Sequence, residues 1–175
     1  HGAGFSADIR ATEKLNFDLD ARVMARENKD ASILDGFRNR LTVNASYIAS
    51  DTMQIQLSSV VATEETKTNI QNNRDYSVNA TINKTFNAPF NLIKDPLSAG
   101  LSFGGSFREY AGANPTIDPD TTRNDYTIRF SPSLTIPAGE TIAILISAGF
   151  TRVDSNIPNS EYDNMSLTIG ISKQF

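Results

Sequence analysis

The chain has 175 residues and a formal net charge of -4, with 16 Lys and Arg against 20 Asp and Glu, so nucleic-acid binding has no electrostatic support. It contains no cysteine, and its only histidine is His1, which excludes a disulfide scaffold, a thiolate metal site, a cysteine nucleophile and a His-based triad. The longest apolar run, Ile142-Ala143-Ile144-Leu145-Ile146, falls far short of the ~20 residues of a spanning helix.

In chain order, the dominant pattern is alternation of apolar and polar residues. A pleated strand sends successive side chains to opposite faces, so this period places apolar residues on one side and polar residues on the other. The first strand is predicted over 4–12, with Phe5, Ala7 and Ile9 opposing Ser6, Asp8 and Arg10. The second, over 16–27, sets Phe17, Leu19, Ala21, Val23 and Ala25 against Asp18, Asp20, Arg22 and Arg26. The third, over 36–49, sets Phe37, Leu41, Val43, Ala45 and Tyr47 against Arg38, Arg40, Thr42, Asn44 and Ser46. The fourth, over 52–64, opposes Met53, Ile55, Leu57 and Val61 to Gln54, Gln56 and Ser58. The fifth, over 74–87, opposes Tyr76, Val78, Ala80, Ile82 and Phe86 to Ser77, Asn79, Thr81, Asn83 and Thr85. The sixth, over 98–110, opposes Leu101, Phe103 and Phe107 to Ser102, Gly104, Ser106 and Arg108. The seventh, over 124–136, opposes Tyr126, Ile128, Phe130, Leu134 and Ile136 to Thr127, Arg129, Ser131, Ser133 and Thr135. The eighth, over 140–152, is apolar on both faces, with Ile142, Ile144, Ile146 and Phe150 on the outer one. The ninth, over 162–175, places Met165, Leu167, Ile169, Ile171, Lys173 and Phe175 on one face.

Alternation of this kind serves either a soluble β-sandwich, such as an adhesin module, or a transmembrane β-barrel with lipid outside and water inside. Aromatics on the apolar face gather toward the strand ends, as rings at a membrane interface do. Phe17, Tyr47, Phe86 and Phe175 fall at one end, and Phe5, Phe37, Tyr76, Phe107, Tyr126, Phe150 and Tyr162 at the other. Tight links near 13–15, 50–51 and 137–139 alternate with longer ones near 28–35, 65–73, 111–123 and 153–161. Short turns on one side and long loops on the other are the outer-membrane arrangement. The link 88–97 breaks this rule and is expected to form a small flap. The reading is therefore all-β, an antiparallel up-and-down transmembrane barrel with about nine strands in a single domain over 1–175.

The last residues, Met165-Ser166-Leu167-Thr168-Ile169-Gly170-Ile171-Ser172-Lys173-Gln174-Phe175, resemble the C-terminal signal strand of bacterial outer-membrane barrels. Met165, Leu167, Ile169, Ile171 and Phe175 fill the apolar places of that motif, and Lys173 departs from it with a stem long enough to snorkel. The resemblance implies location in the outer membrane of a Gram-negative bacterium with a periplasmic C-terminus. It also implies contact with lipid and lipopolysaccharide, and recognition by the barrel assembly machinery. Such barrels have an even number of strands. Nine strands are thus expected to be the C-terminal part of a larger barrel, completed by upstream strands, or to be joined by further subunits or an upstream domain. The start, His1-Gly2-Ala3-Gly4-Phe5, has neither a charged n-region nor an apolar h-region, which agrees with a processed chain or a fragment.

The polar face carries Asp8, Arg10, Asp18, Asp20, Arg22, Arg26, Arg38, Arg40, Arg108 and Arg129. Seven arginines against three aspartates give either a cationic pore wall for anionic or sugar-like solutes, or cross-strand ion pairs that plug a narrow barrel. Asp18 and Asp20 share a face, which suits a calcium ligand or an acid/base pair less well than pairing with Arg10, Arg22 and Arg38. Thr116-Ile117-Asp118-Pro119-Asp120 lacks the calcium-loop pattern. No Ser lies in a Gly-x-Ser-x-Gly elbow, and outer-membrane phospholipase and protease barrels use a His that this chain has only at its first residue. The expectation is a non-enzymatic pore or export channel without cofactor or metal, or else a structural anchor.

Overall fold

The computed structural model describes residues 1–27, 32–88, 95–139 and 141–173. They form one antiparallel sheet in which each strand pairs with the next: β1 (Gly2–Arg10), β2 (Leu15–Arg26), β3 (Gly36–Ser50), β4 (Met53–Thr66), β5 (Asn73–Phe86), β6 (Leu97–Tyr110), β7 (Asn124–Pro137), β8 (Ile142–Ser155) and β9 (Tyr162–Lys173). The strands run from 9 to 15 residues, well beyond the ~5–6 usual in soluble sheets. β1 and β9 are the two edges and do not pair with one another, so the sheet is open.

The alternation read from the sequence is carried through the pairing without a slip between faces. One rung crosses all nine strands through Ile9, Phe17, Ala45, Leu57, Ala80, Phe103, Phe130, Phe150 and Met165. Every member is apolar. This rung meets β1 one residue from Arg10, at the end with tight turns, and meets β9 three residues from Tyr162, at the end with long links. Each strand is thus displaced along its neighbour in a cumulative stagger. A closed barrel needs such a stagger, because its strands tilt against the axis.

Local chemistry sets the boundaries. β1 stops at Arg10, short of its expected end, because Thr12 organises the turn. Its Oγ1 accepts hydrogen bonds from the backbone N–H of Lys14 (3.2 Å) and Leu15 (3.0 Å). At the β7–β8 turn Gly139 has φ of 115°, a conformation open to glycine, and Ala138 donates its N–H to Ile142 O at 2.8 Å. β8 continues to Ser155, three residues beyond its expected end. Most of the flap expected over 88–97, together with Gln174 and Phe175, lies outside the described residues.

The sheet has almost no interior. Among the described residues the buried apolar positions are Ala62, Ala88, Leu97, Val153 and Ile157, and no large side chain is fully buried. Close packing is confined to particular points of the ladder. Gly36 pairs with both Arg26 and Thr66, and a Cβ there would lie 1.8 Å from the carbonyl oxygen of Glu65. Gly36→Ala should therefore destabilise the folded state by about 1–3 kcal/mol. A urea titration in detergent micelles followed by far-ultraviolet circular dichroism checks this, and an unchanged midpoint would contradict the register at β3.

Candidate functional site

The polar face offers the only organised chemistry in the described residues. Its middle on β5 and β6 is neutral and hydrogen-bonded. Thr81 donates to Ser102 Oγ (3.1 Å), Ser102 donates to Asn79 Oδ1 (3.1 Å), and Asn79 Nδ2 donates to Thr81 Oγ1 (3.1 Å). Gly104 lies beside this network, where a Cβ would come within 2.6 Å of Asn79 Oδ1. Nearer the loops a second rung concentrates charge. It runs Gly4, Arg22, Arg40, Ala62, Asp75, Arg108, Asp125 and Ser155.

The two halves of that rung differ. On β5–β7 it is compensated: Arg108 Nε donates to Asp75 Oδ2 at 2.9 Å, and Arg123, in the link before β7, pairs with Asp125 at 2.8 Å. The Arg123 guanidinium also stands 5.1 Å over the Tyr110 ring, a cation–π contact. Hydrogen bonding to Asp125 raises the Arg123 pKa above its ordinary value, more than burial lowers it. A raised basic pKa means stabilisation that is present below that value and lost only as pH rises through it, so this cation persists at all ordinary pH. On β2–β3, by contrast, Arg22 and Arg40 stand directly opposite each other.

Arg108 pairs with Asp75 across neighbouring strands as expected, but the arginines of β2 and β3 do not pair with the strand beside them. Arg22 binds Asp20 on its own strand at 2.8 Å. The positions opposite Arg22 are Gly4 and Arg40, which offer no carboxylate, whereas Asp20, two positions along, lies on the same face. Arg26 reaches Glu64 on β4 at 3.0 Å, passing Gly36, which presents no side chain. Asp18 accepts from Asn44 Nδ2 at 2.9 Å, and Asp8 stands opposite it, so the two carboxylates face each other rather than an arginine. Arg10, Arg38, Arg40 and Arg129 make no ion pair among the described residues; Arg40 contacts Thr42 Oγ1 at 3.4 Å.

Parity could have found Asp75 and Asp125, since each continues the polar alternation of its strand by one step. Arg123, Tyr110 and Glu64 needed three-dimensional register. Asp118, in the acidic loop, uses Oδ1 to accept the N–H of Asp120 (3.0 Å) and Thr121 (3.2 Å), a turn role. Among the described residues no group of three or more His, Cys, Asp or Glu is placed to hold a metal ion.

The apolar face is continuous and uncovered, with Phe103 57%, Ile171 78% and Met165 80% exposed. Tyr76, Phe107 and Tyr126 adjoin in one rung near the loops, and the Phe107 and Tyr126 rings are 4.7 Å apart. Phe5, Phe37, Phe17, Tyr47 and Phe86 lie on this face as expected. Two aromatics differ. Phe150 is mid-strand because β8 is longer than expected, and it aligns with Phe130. Tyr162 pairs with Val153 on the polar parity, because the alternation of β9 puts Met165, not Tyr162, on the apolar side.

Compared with known proteins, the chain matches no family model and no curated protein. No helix among the described residues is long and apolar enough to cross a membrane, which says nothing of a β-barrel.

Arg123→Ala should loosen the link 111–123, because it leaves the 8%-exposed Asp125 side chain without its cation. The expected cost is about 1–2 kcal/mol. Limited proteolysis should register it as several-fold faster cleavage within 111–123, and an unchanged rate would show that Asn156, which bonds Thr122 O at 2.8 Å, holds the link alone.

Proposed function

We propose that this chain is part of the wall of a bacterial outer-membrane β-barrel that passes polar solutes. Its apolar face meets lipid and its polar face lines a wet lumen. The observation that carries the reading is the uncovered apolar face of a single nine-stranded sheet, opposite a face of amides, hydroxyls and charges. Water would leave some two dozen large apolar side chains solvated, at about 1.5–3 kcal/mol for each that burial would relieve. Lipid removes that cost.

The height of the apolar band supports the same medium. On β9 the apolar parity runs from Asp163 to Lys173 with Met165, Leu167, Ile169 and Ile171 between. On β5 it runs from Arg74 to Lys84 with Tyr76, Val78, Ala80 and Ile82 between. Ten residues at ~3.3 Å each, tilted by about 45°, stand about 23 Å tall. The lipid band of such barrels is ~25 Å. Charges on this parity therefore sit where headgroups and water begin.

The open edges set what must complete the wall. With nine alternating strands, β1 and β9 point the same way, so an antiparallel closure takes an odd number of further strands, from outside the described sheet. Unpaired edges in lipid are costly, which favours closure over an open sheet. In this arrangement Lys173 and the residues after it lie on the periplasmic side, where the assembly machinery engages the last strand. An anchor role shares every feature except conduction.

Three measurements test the proposal. The protein should remain in the membrane fraction through alkaline washing and require detergent for release; release into buffer alone would reject it. Phe103→Arg should cost about 2–4 kcal/mol and block insertion, while Ser102→Arg, one residue away on the wet face, should insert. Equal behaviour of the two would remove the assignment of faces. Reconstituted protein should conduct ions across planar bilayers, and silence would favour the anchor.

A further inference from the structure

We infer that Arg22, Arg38 and Arg40 form a selecting site for small oxyanions, carboxylates or phosphates, on one side of the lumen near its loop end. This rests on the pore reading above and names the solute class that the same wall favours.

Arg22 and Arg40 are direct partners across the β2–β3 ladder, and Arg38 follows two residues along on the same face. Like charges placed opposite one another destabilise a sheet. The chain offsets them with one carboxylate, Asp20, which binds Arg22. Glu64, the acid nearest to Arg38 in register, is engaged by Arg26 instead. Arg38 and Arg40 make no ion pair among the described residues, and both side chains are exposed. The flanking rung positions are Gly4 and Ala62, which leave the guanidinium forks unobstructed. Elsewhere on the same rung Asp75 and Arg108 cancel, and Asp125 is cancelled by Arg123 in the link before β7. The unbalanced positive charge of this band is thus local to β2–β3.

Guanidinium groups fit carboxylate and phosphate oxygens with paired N–H donors, so a cluster of them selects oxyanions over equally small cations. The nearer acids are engaged, Asp20 by Arg22, Glu64 by Arg26 and Asp75 by Arg108, and the acids of β1 and β2 that hold no ion pair among the described residues, Asp8 and Asp18, lie four residues from Arg22 along β2, roughly 13 Å away. That exceeds the screening length of about 8–10 Å at physiological salt, so the basic band acts on a solute before the acids do.

The experiment is reversal potential in planar bilayers under a potassium chloride gradient, using the whole reconstituted protein. Wild type should prefer chloride over potassium. Arg22→Gln with Arg40→Gln should lower that preference by roughly threefold or more, and inorganic phosphate should block wild-type current but not the variant's. Arg22→Lys with Arg40→Lys should retain chloride preference while weakening phosphate block, because the point charge remains and the fork is lost. If the double Gln variant does not insert, Arg40→Gln alone should give a partial shift in the same direction. Cation preference in wild type, or a ratio unmoved by either Gln variant, overturns this inference and leaves the pore standing. An inserted wild-type protein that conducts nothing overturns both.

Discussion

Everything in this molecule depends on a pleated sheet whose nine strands agree, rung by rung, on which face is apolar. A slip of one residue in any pair would turn a whole strand over and put its Ser, Asn or Arg among the Phe, Ile and Leu of its neighbours. The register shifts once, between Ile48 and Ser50 beside the β3–β4 turn, where Ala49 is skipped and Ser50 is displaced by one residue. Because this parity is kept from strand to strand, the sheet sorts most apolar and polar side chains onto opposite faces rather than enclosing a core. Among the described residues only five apolar positions are buried, and they are scattered.

Stagger is the second consequence of the same register. Since the rung from Ile9 ends at Met165, near the opposite end of its strand, residues at equal depth belong to different rungs in different strands. The arginine pair on β2–β3 and the compensated Asp75–Arg108–Asp125 run therefore share one rung yet lie at different distances from the ends of their strands. It also bears on the edges. The sheet is open at β1 and β9, and its stagger is of the kind a closed barrel needs.

Much of this was legible in the sequence because period-two patterning reports directly on faces. All nine strands, their order and nearly all of their facing residues follow from it. The errors have physical causes. β1 was expected two residues late because Thr12 reads as a strand residue until its hydroxyl is seen to hold the turn. Phe150 was expected near a strand end because the strand was ended at 152, with Asp154 in the link, yet Asp154 pairs with Arg152 at 2.8 Å and β8 runs on to Ser155. Tyr162 was expected on the apolar side because aromaticity was weighed above parity. The polar site was less legible than the fold. Composition gives an arginine surplus, but which arginines remain uncompensated depends on reach across strands, as when Arg26 passes Gly36 to take Glu64.

That last dependence sets where charge stands on the polar face. Had Glu64 bound Arg38, its direct partner in the ladder, the surplus would have moved to Arg26 at the end of β2. Because Gly36 leaves a gap over β3, the acid is drawn to Arg26, and the uncompensated charge is left deeper, on Arg38 and Arg40. The same glycine permits the close approach of β3 to the Glu65 carbonyl. One residue without a side chain thus serves both the packing of the sheet and the placement of its field. This couples stability to electrostatics at Gly36: a substitution that disturbs the ladder there would also redistribute charge along the polar face.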